Sequence, residues 1–280
     1  MYERDNGLKR HYHPENKKET KQKKASALRK FMLLFLILVV ILPILGWTTL
    51  TLTGMYLVGG EKIKAIETSL SKGNIYGHEG TLVTVNQMPA YIPKAFVGIE
   101  DHRVYKHYGI DPISLGRAIW TDMKDGQKTQ GASTITMQVA RNLFLSGDKT
   151  YTRKFKEMAI ATELENKFSK EEILNQYLNN IYFGNGQYGI EAAAQYYFGK
   201  TTRLNDPQKP VINLSEAAML AGMVKGPEAY NPLKNKDKAL KRQQVVLNRM
   251  AQLGLISKQE KEEALQKEVA FISKTVKPAS

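Results

Sequence analysis

The hydrophobic pattern begins with a long uncharged stretch near the N-terminus. Residues 31–60 contain no charged side chain, and their first part reads FMLLFLILVVILPILGW. A helix needs about 20 mostly apolar residues to cross a bilayer core, and membrane helices tolerate a proline such as Pro43. A cleaved signal peptide would have a shorter apolar region and a small-x-small site. The pattern therefore predicts an uncleaved transmembrane helix over residues 31–53 and a membrane-proximal linker over 54–87.

After this stretch, apolar residues recur with the spacing of amphipathic helices. Ile173, Leu174, Tyr177 and Leu178, for example, fall on one helix face. Helix-ending glycines and a capping box that starts at Asn213 mark further boundaries. Helices are predicted over the segments 155–168, 173–181, 191–198, 217–224, 238–253 and 257–267.

Other segments do not follow the helical pattern. Residues 81–85, which read TLVTV, are mostly β-branched and predict a short strand. Residues 200–213 and 225–236 are rich in Asn, Pro and Lys and are predicted as loops. The fold class is accordingly predicted as mainly α, with one domain over residues 88–270 and a C-terminal tail over 271–280.

Charge is distributed unevenly along the chain. The sequence contains 41 Lys and Arg against 27 Asp and Glu, a net charge of +14. Its first 30 residues hold ten of these cations and four of the acids, which gives +6. Basic residues beside a membrane helix favour the cytoplasmic side, so residues 1–30 are predicted as a disordered cytoplasmic tail that contacts membrane lipids. The domain is then expected outside the cytoplasm, in a single-pass protein of the cell membrane.

A basic tail also fits nucleic-acid binding, but the adjoining apolar helix makes membrane topology the preferred interpretation. No nucleic-acid partner is therefore expected. The chain contains no cysteine, which excludes a disulfide scaffold, a thiolate zinc site and a cysteine nucleophile.

Three short motifs lack the context that their chemistry needs. Residues 184–189 match G-x-G-x-x-G, but a predicted helix rather than a strand precedes them. Residues 69–72 and 146–149 match S-x-x-K, yet neither K-T-G nor S-D-N follows. His102 and His107 lie five positions apart, a poor spacing for two ligands on one helix face, so no metal pair is assigned.

Polar groups collect in four segments with apolar surroundings, of which the first contains two adjacent carboxylates. Glu100 and Asp101 follow the apolar residues 95–99. A carboxylate against an apolar wall is disfavoured in its charged form and can accept a proton near neutrality. The alternative is an acid pair that interacts with a helix dipole.

The other three segments also allow both a structural and a functional interpretation. In residues 131–142, Ser133 is a candidate N-cap, and Gln138 and Arg141 share a helix face. Arg153 and Glu157 lie four apart, which fits either a solvated salt bridge or a functional pair of cation and carboxylate. Residues 177–189 are dense in aromatic and amide side chains, which suit a sugar or a buried turn.

Together these segments resemble the peptidoglycan glycosyltransferase domain of penicillin-binding proteins and of monofunctional membrane-bound transglycosylases. The matching motifs, in chain order, read EDHRVYKHYG from residue 100, GASTITMQ from 131, RKFKEMAIATELE from 153, EILNQYLNNIYFGNG from 172 and LSEAAMLAG from 214. Val104 stands where an aromatic residue is usual, Met137 replaces a frequent Gln, and Arg141 replaces a Lys. The resemblance covers roughly residues 88–255 and implies a lysozyme-like, mainly helical fold with a lobe that dips into the bilayer.

The resemblance also implies an activity, namely polymerisation of lipid II into glycan strands by inverting β-1,4 transfer with release of polyprenyl pyrophosphate. Glu100 matches the general base, and Asp101 and Arg103 match residues that tune and orient it. Glu157 matches a second essential carboxylate that organises cations or a divalent metal, Mg²⁺ or Mn²⁺; no covalent cofactor is expected. The positions expected to bind pyrophosphate or sugar are Ser133, Gln138, Arg141, Arg153 and Lys154, and Asp101 and Arg103 are counted among these substrate-binding residues too.

Two other functions remain open for this sequence. A lysozyme-like lytic enzyme shares the fold and also uses two carboxylates. A non-catalytic anchored protein that binds an anionic wall polymer or DNA is the third hypothesis. The expected partners of the polymerase are lipid II, the growing glycan strand, membrane lipids and other proteins of cell-wall synthesis. Because few residues follow the helical domain, a monofunctional protein is expected rather than the N-terminal part of a bifunctional one.

Overall fold

The computed structural model describes residues 15–73, 75, 82–125, 131–145 and 151–272. These residues form helices and loops, with three isolated β-bridges and no named strand. The predicted mainly α fold class is confirmed. The chain divides into two compact units, Met1–Thr49 and Leu50–Ser280, which are described separately.

The first unit is helical over all its described residues. It contains α1 (Glu15–Leu36), a π-helical turn (Ile37–Ile41) and the beginning of α2 (Leu42–Val58). Pro43 has no backbone N–H to donate to the preceding turn, which accounts for the irregular hydrogen bonding of Ile37–Ile41. The stretch Lys23–Val58 is long and apolar enough to cross a membrane by length and composition.

The predicted disordered tail is wrong for residues 15–30, which are helical. Residues 1–14 lie outside the described residues. Residues 15–30 are rich in Lys, Gln, Glu and Ala, which are strong helix formers, and contain no Gly or Pro. Because the apolar helix follows without a break, residues 15–30 extend an existing helix and need no nucleus of their own.

The second unit begins in the last two turns of α2 and adds further helices. These are α3 (Gly60–Ser71), α4 (Tyr91–Glu100), α5 (Pro112–Asp125), α6 (Ile135–Phe144), α7 (Tyr151–Lys167), α8 (Lys170–Asn180), α9 (Ile190–Phe198), α10 (Leu214–Met223), α11 (Lys236–Gln252) and α12 (Lys258–Gln266). The helices predicted in the second half of the chain correspond to α7 to α12 and are confirmed. The capping box at Asn213 is confirmed too, because its side chain accepts a hydrogen bond from the Glu216 N–H.

The centre of this unit is α10, in which every residue from Ser215 to Met223 is buried. A helix that is apolar all round belongs in the interior, and α10 packs against α4 and α11. In the same unit, α6 packs against α7 and α8. The ends of α4 and α6 are thereby held at fixed positions in one core.

The predicted linker over residues 54–87 contributes to that same core. Val58, Ile63, Ile66 and Val83 are buried in the hydrophobic cluster of the domain. The folded unit therefore starts earlier than the predicted boundary at residue 88, because these apolar side chains pack with the helices that follow.

The predicted strand over residues 81–85 is wrong for its described part, residues 82–85. The backbone there is irregular and enters a 3₁₀ turn at Val85. Side chains of α8 replace the missing partner strand: the Val83 N–H donates to Asn179 Oδ1 over 3.1 Å, and Asn179 Nδ2 donates to the Val83 carbonyl over 2.9 Å. Asn175 Oδ1 accepts from the Val85 N–H in the same way.

We expect Asn179→Ala to destabilise the domain, because the buried N–H and carbonyl of Val83 would lose their partners. An unsatisfied buried polar group costs about 1–3 kcal/mol. The free energy of unfolding, measured by urea titration in detergent, should fall by an amount in this range. Asn86→Ala, at an exposed position, is the control and should have a much smaller effect. Equal values for the two variants would contradict the role given to Asn179.

Candidate active site

A polar cleft of about 730 Å³ lies between α4, α5, α6 and α11. Among the side chains that line it are four of the predicted site residues: Glu100, Ser133, Gln138 and Arg141. Glu100 is the last residue of α4, while Gln138 and Arg141 lie on one face of α6. The cleft thus forms where the C-terminus of α4 meets the first turns of α6.

Glu100 is held in this cleft with its carboxylate partly withdrawn from water. Gln138 Nε2 donates a hydrogen bond to Glu100 Oε2 over 2.9 Å. Burial raises the pKa of Glu100 above its ordinary value of 4.5, while the Gln138 hydrogen bond, Arg242 and Arg141 act in the opposite direction. The carboxylate is therefore a stronger base than an exposed glutamate and remains close to cations that favour its ionised form.

Asp101 occupies the next position in the chain but faces the protein interior. Its carboxylate is almost fully buried; it accepts a hydrogen bond from the Ile135 N–H over 3.0 Å and lies 3.0 Å from His107 Nε2. These contacts attach the first turn of α6 to the end of α4. The prediction placed Asp101 among the substrate-binding residues, whereas the structure makes it an anchor for the element that carries Gln138 and Arg141.

The N-cap of α6 is Thr134, and the prediction of Ser133 was wrong by one residue. Thr134 Oγ1 accepts a hydrogen bond from the Met137 N–H over 3.1 Å and donates to the Gly109 carbonyl. Gly109 has φ +76°, and a Cβ there would lie 2.8 Å from the Ala161 carbonyl oxygen, so only glycine fits this contact. Ser133 instead points its hydroxyl to α7, where it accepts a hydrogen bond from Lys154 Nζ over 2.6 Å.

Glu157 on α7 gathers two cations around a buried carboxylate. Its side chain is 1% exposed, with Lys154 Nζ 2.9 Å from Oε2 and Arg153 Nε 3.2 Å from Oε1. The solvated salt bridge considered from the sequence is thus wrong, because the carboxylate is inside the protein. Lys154 contacts both Glu157 and Ser133, and so it connects this buried pair to the wall of the cleft.

Arg103 does not orient Glu100, which corrects the role predicted for it. Its guanidinium pairs with Asp111, with Nη2 2.7 Å from Oδ2, and also donates to Ser114 Oγ over 3.0 Å. Burial acts to raise the pKa of Asp111, but hydrogen bonds from Ser114 and Arg103 outweigh it and lower this pKa from 3.8 to about 2. The ion pair fixes the turn between α4 and α5.

Four cations in the cleft were missed at the sequence level: Arg117, Lys225, Arg242 and Arg249. Arg242 and Arg249 are seven positions apart on α11, a spacing that places two side chains on the same helix face. That spacing was the available signal, but α11 carries several other cations, and its packing decides which of them reach the cleft. Arg242 Cζ lies 5.9 Å from the ring centre of Tyr230, a contact that helps to fix the guanidinium.

A second cavity, of about 360 Å³, continues from the first beyond Gln138 and Arg141, which line both. Its other side carries Asn180, Tyr182 and Tyr188, and the two tyrosine ring centres are 4.9 Å apart. Residues 181–189 form a turn that contains three glycines with positive φ. The buried-turn interpretation of this segment is confirmed in part, and its aromatic side chains line a cavity, so sugar binding there stays a prediction.

The remaining motifs lie away from the cleft or outside the described residues. The G-x-G-x-x-G segment follows α8, so the strand required for a dinucleotide site is missing here. The S-x-x-K at 69–72 lies at the end of α3, and the one at 146–149 falls outside the described residues. His107 contacts Asp101, and His102 lines a smaller cavity next to Glu100.

We expect Asp111→Asn to lower stability at neutral pH. A carboxylate whose folded pKa is depressed stabilises the fold above its unfolded pKa, and this contribution is lost as the pH falls. The loss in unfolding free energy should be about 1–2 kcal/mol near pH 7 and should shrink between pH 3.8 and about 2. Urea unfolding at several pH values would measure it; a loss that is independent of pH would contradict the ionic origin.

Glu100→Gln should have the opposite effect on stability. Because burial raises the pKa of Glu100, ionisation of this group opposes folding above its unfolded value of 4.5. The neutral amide avoids that penalty, so the melting temperature should rise near pH 7 and the gain should vanish below 4.5. Glu268→Gln, at an exposed position, should change nothing. A lower melting temperature for Glu100→Gln at neutral pH would refute this account of the site.

Comparison with known proteins identifies the family of this chain. The sequence model of the Transglycosylase family matches residues 67–251. Penicillin-binding protein 1F of Bacillus subtilis (strain 168) is 37% identical over 235 residues, which are 81% of this chain and 32% of that protein. Penicillin-binding protein 1A of Escherichia coli (strain K12) is 45% identical over 186 residues, 66% of this chain and 21% of that protein.

Among solved structures, penicillin-binding protein 1A from Haemophilus influenzae aligns with 69% of this chain and 18% of its own length, at 25% identity and a TM-score of 0.40. The chain spans about a third or less of the length of the curated relatives described above. The match of the family model to residues 67–251 shows that this chain belongs to the transglycosylase family of the penicillin-binding proteins.

Proposed function

We propose that this chain polymerises lipid II into linear peptidoglycan strands. The observation that carries the proposal is the pairing of a partly buried, hydrogen-bonded Glu100 with several cations in one cleft. A base and a set of cations are the two groups needed to activate a sugar hydroxyl and to receive a pyrophosphate leaving group. Membership of the transglycosylase family supports peptidoglycan glycosyl transfer as the reaction class.

The reaction consists of one displacement at an anomeric carbon. Glu100 removes the proton from the 4-hydroxyl of the acceptor sugar as the oxygen forms its bond to the anomeric carbon of the donor. The bond from that carbon to the pyrophosphate oxygen breaks with inversion, and the electron pair leaves on the polyprenyl pyrophosphate. Arg141, with the Arg153 and Lys154 pair beyond Ser133, neutralises the charge that develops there.

A divalent cation does not fit the residues around Glu157. Lys154 and Arg153 already approach the two carboxylate oxygens of Glu157, and cations at both oxygens oppose the approach of a further cation. Among the described residues, no group of three or more His, Cys, Asp or Glu side chains could hold a metal ion. We therefore assign the charge neutralisation at this position to the protein's own cations, Arg153 and Lys154.

The membrane helix provides the context for a lipid-linked substrate. The relatives are penicillin-binding proteins, and one apolar N-terminal helix fits a single-pass membrane protein. We propose that the basic residues before this helix keep the N-terminus in the cytoplasm and that the domain acts outside, on lipid II and the growing strand. Membrane lipids and other cell-wall synthesis proteins are the proposed partners, and nucleic acid is not.

The alternative of a lytic, lysozyme-like hydrolase is less well supported by the contacts. Such an enzyme uses two carboxylates that flank the scissile bond. Here the second carboxylate, Glu157, is 1% exposed and is neutralised by Arg153 and Lys154. It is arranged to hold cations and not to activate water.

Purified full-length protein should convert labelled lipid II into long glycan strands in detergent micelles. Glu100→Gln should reduce this rate by about 10²–10⁴-fold, because the acceptor hydroxyl loses its general base. Glu268→Gln is the matched control at an exposed position and should retain the activity of the parent protein. Release of fragments from intact peptidoglycan, without polymer from lipid II, would refute the polymerase and favour the hydrolase.

Arg242→Gln should move the acid limb of the pH–rate profile to higher pH. Arg242 lowers the pKa of Glu100, so its removal raises that pKa and a higher pH is needed to ionise the base. Lys238→Gln removes a charge from the same helix at an exposed position outside the cleft and should leave the limb in place. A limb that stays fixed in Arg242→Gln, or moves equally in both variants, would contradict the electrostatic link.

A further inference from the structure

The last two turns of α2 pack against the domain through one face. Within residues 50–58, the buried positions are Leu50, Gly54 and Val58, which recur every four residues. Leu52, Met55 and Tyr56, on the other faces, are exposed. This segment belongs to the second unit, so its contacts with the domain are part of one compact body.

Gly54 is the point of closest approach in this contact. A Cβ at Gly54 would lie 2.0 Å from the carbonyl oxygen of Ala159 and 2.9 Å from its carbonyl carbon. The next nearest atom would be Glu163 Cβ, at 3.3 Å. The backbones of α2 and α7 therefore touch directly at Gly54, and no side chain fits between them. Small residues permit such helix contacts, in which Cα–H groups approach carbonyl oxygens.

The obstacle that an added methyl group would meet cannot rotate away. It is a main-chain carbonyl inside α7, and the stretch Ala159–Leu164 of that helix is buried against the core. Helix α7 packs on α6 and α8, whereas residues 50–58 contact the domain through one face only. A methyl group at position 54 would accordingly displace α2 by about 1–1.5 Å, the difference between 2.0 Å and an ordinary contact, and leave α7 in place.

The residues of α7 next to this contact are the cations of the candidate site. Ala159 lies two positions after Glu157 and five after Lys154 on the same helix. Because a helix is stiff over such a distance, the contact at Gly54 fixes this end of α7 relative to the last turns of α2. A substrate that is held by its lipid tail has to reach these cations past the end of α2, so the separation of α2 and α7 affects how it binds.

We propose that Gly54 is a positioning residue that sets the separation between the last turns of α2 and the helix that carries Arg153, Lys154 and Glu157, and so how a membrane-held pyrophosphate reaches these cations. This inference rests on the proposed function, because it concerns where the lipid-linked substrate meets those cations. Gly54 itself touches neither substrate nor reacting atoms. Its effect passes through the contact of α2 with α7.

The test compares Gly54→Ala with Gly46→Ala in full-length protein reconstituted in phosphatidylglycerol–phosphatidylcholine vesicles. Gly46 lies in the same helix, and nothing lies within 4 Å of the Cβ position there, which makes the control chemically identical. With long-chain lipid II in the bilayer, Gly54→Ala should lose about 10- to 100-fold in kcat/KM, as expected for an Å-scale misplacement. With a water-soluble short-chain analogue, its kcat/KM should equal that of the parent.

A second measurement reports on geometry without any substrate. The chain contains no cysteine, so Met55→Cys and Lys167→Cys, both at exposed positions, can carry a pair of spin labels. The distance between the labels should change in Gly54→Ala and remain the same in Gly46→Ala. This arm is independent of the reaction: a parent protein that does not polymerise lipid II would refute the proposed function while the label distances still test the contact.

Three results would overturn the inference. One is an equal loss on bilayer-held and soluble substrate, which would indicate general damage to the fold. Another is full activity of Gly54→Ala on both substrates. The last is an unchanged label distance in Gly54→Ala, which would show that α2 and α7 accommodate the methyl group without moving.

Discussion

The cleft depends on one buried carboxylate, that of Asp101, which connects the C-terminus of α4 to the N-terminus of α6. Its oxygens accept the Ile135 N–H in the first turn of α6 and contact His107 Nε2 in the loop that leaves α4. A carboxylate with so little exposure is tolerated only when donors surround it, so the two helix ends cannot separate without leaving a buried polar group without its partners. Glu100 on one helix therefore stays within hydrogen-bond distance of Gln138 on the other.

A second layer of hydrogen bonds surrounds this anchor. Lys170 Nζ donates to the His107 carbonyl and to Glu165 Oε1, each over 2.7 Å, and the Thr136 hydroxyl donates to the same Glu165 oxygen over 2.6 Å. The segments that resemble the first, second and third family motifs are joined in this way, and Lys170 lies just before the fourth. Many motif residues thus hold the cleft in shape, and only a few of them face it.

Local patterns in the sequence were sufficient to predict the helices of the second half of the chain, because apolar spacing and helix caps depend on residues three or four positions apart. These patterns could not predict which residue makes a contact where two neighbouring residues can both make it. Ser133 and Thr134 can both cap α6, and the choice is made by Lys154 and by the Gly109 carbonyl, which are distant in sequence. In the same way, Asn175 and Asn179 satisfy a segment that was predicted to be a strand, through contacts about 90 positions apart.

The two essential carboxylates that the family resemblance implies are placed in opposite surroundings, and this difference assigns their tasks. Glu100 has the apolar end of α4 behind it, and burial raises its pKa, so it can exchange a proton. Glu157 is more deeply buried but lies beside Lys154 and Arg153, and it holds these two cations in place. A cation that is fixed before the substrate arrives needs no reorganisation when charge appears on a leaving group. In the proposed reaction, proton transfer takes place at the end of α4 and charge neutralisation on α7, and α6, with Gln138 and Arg141, connects the two.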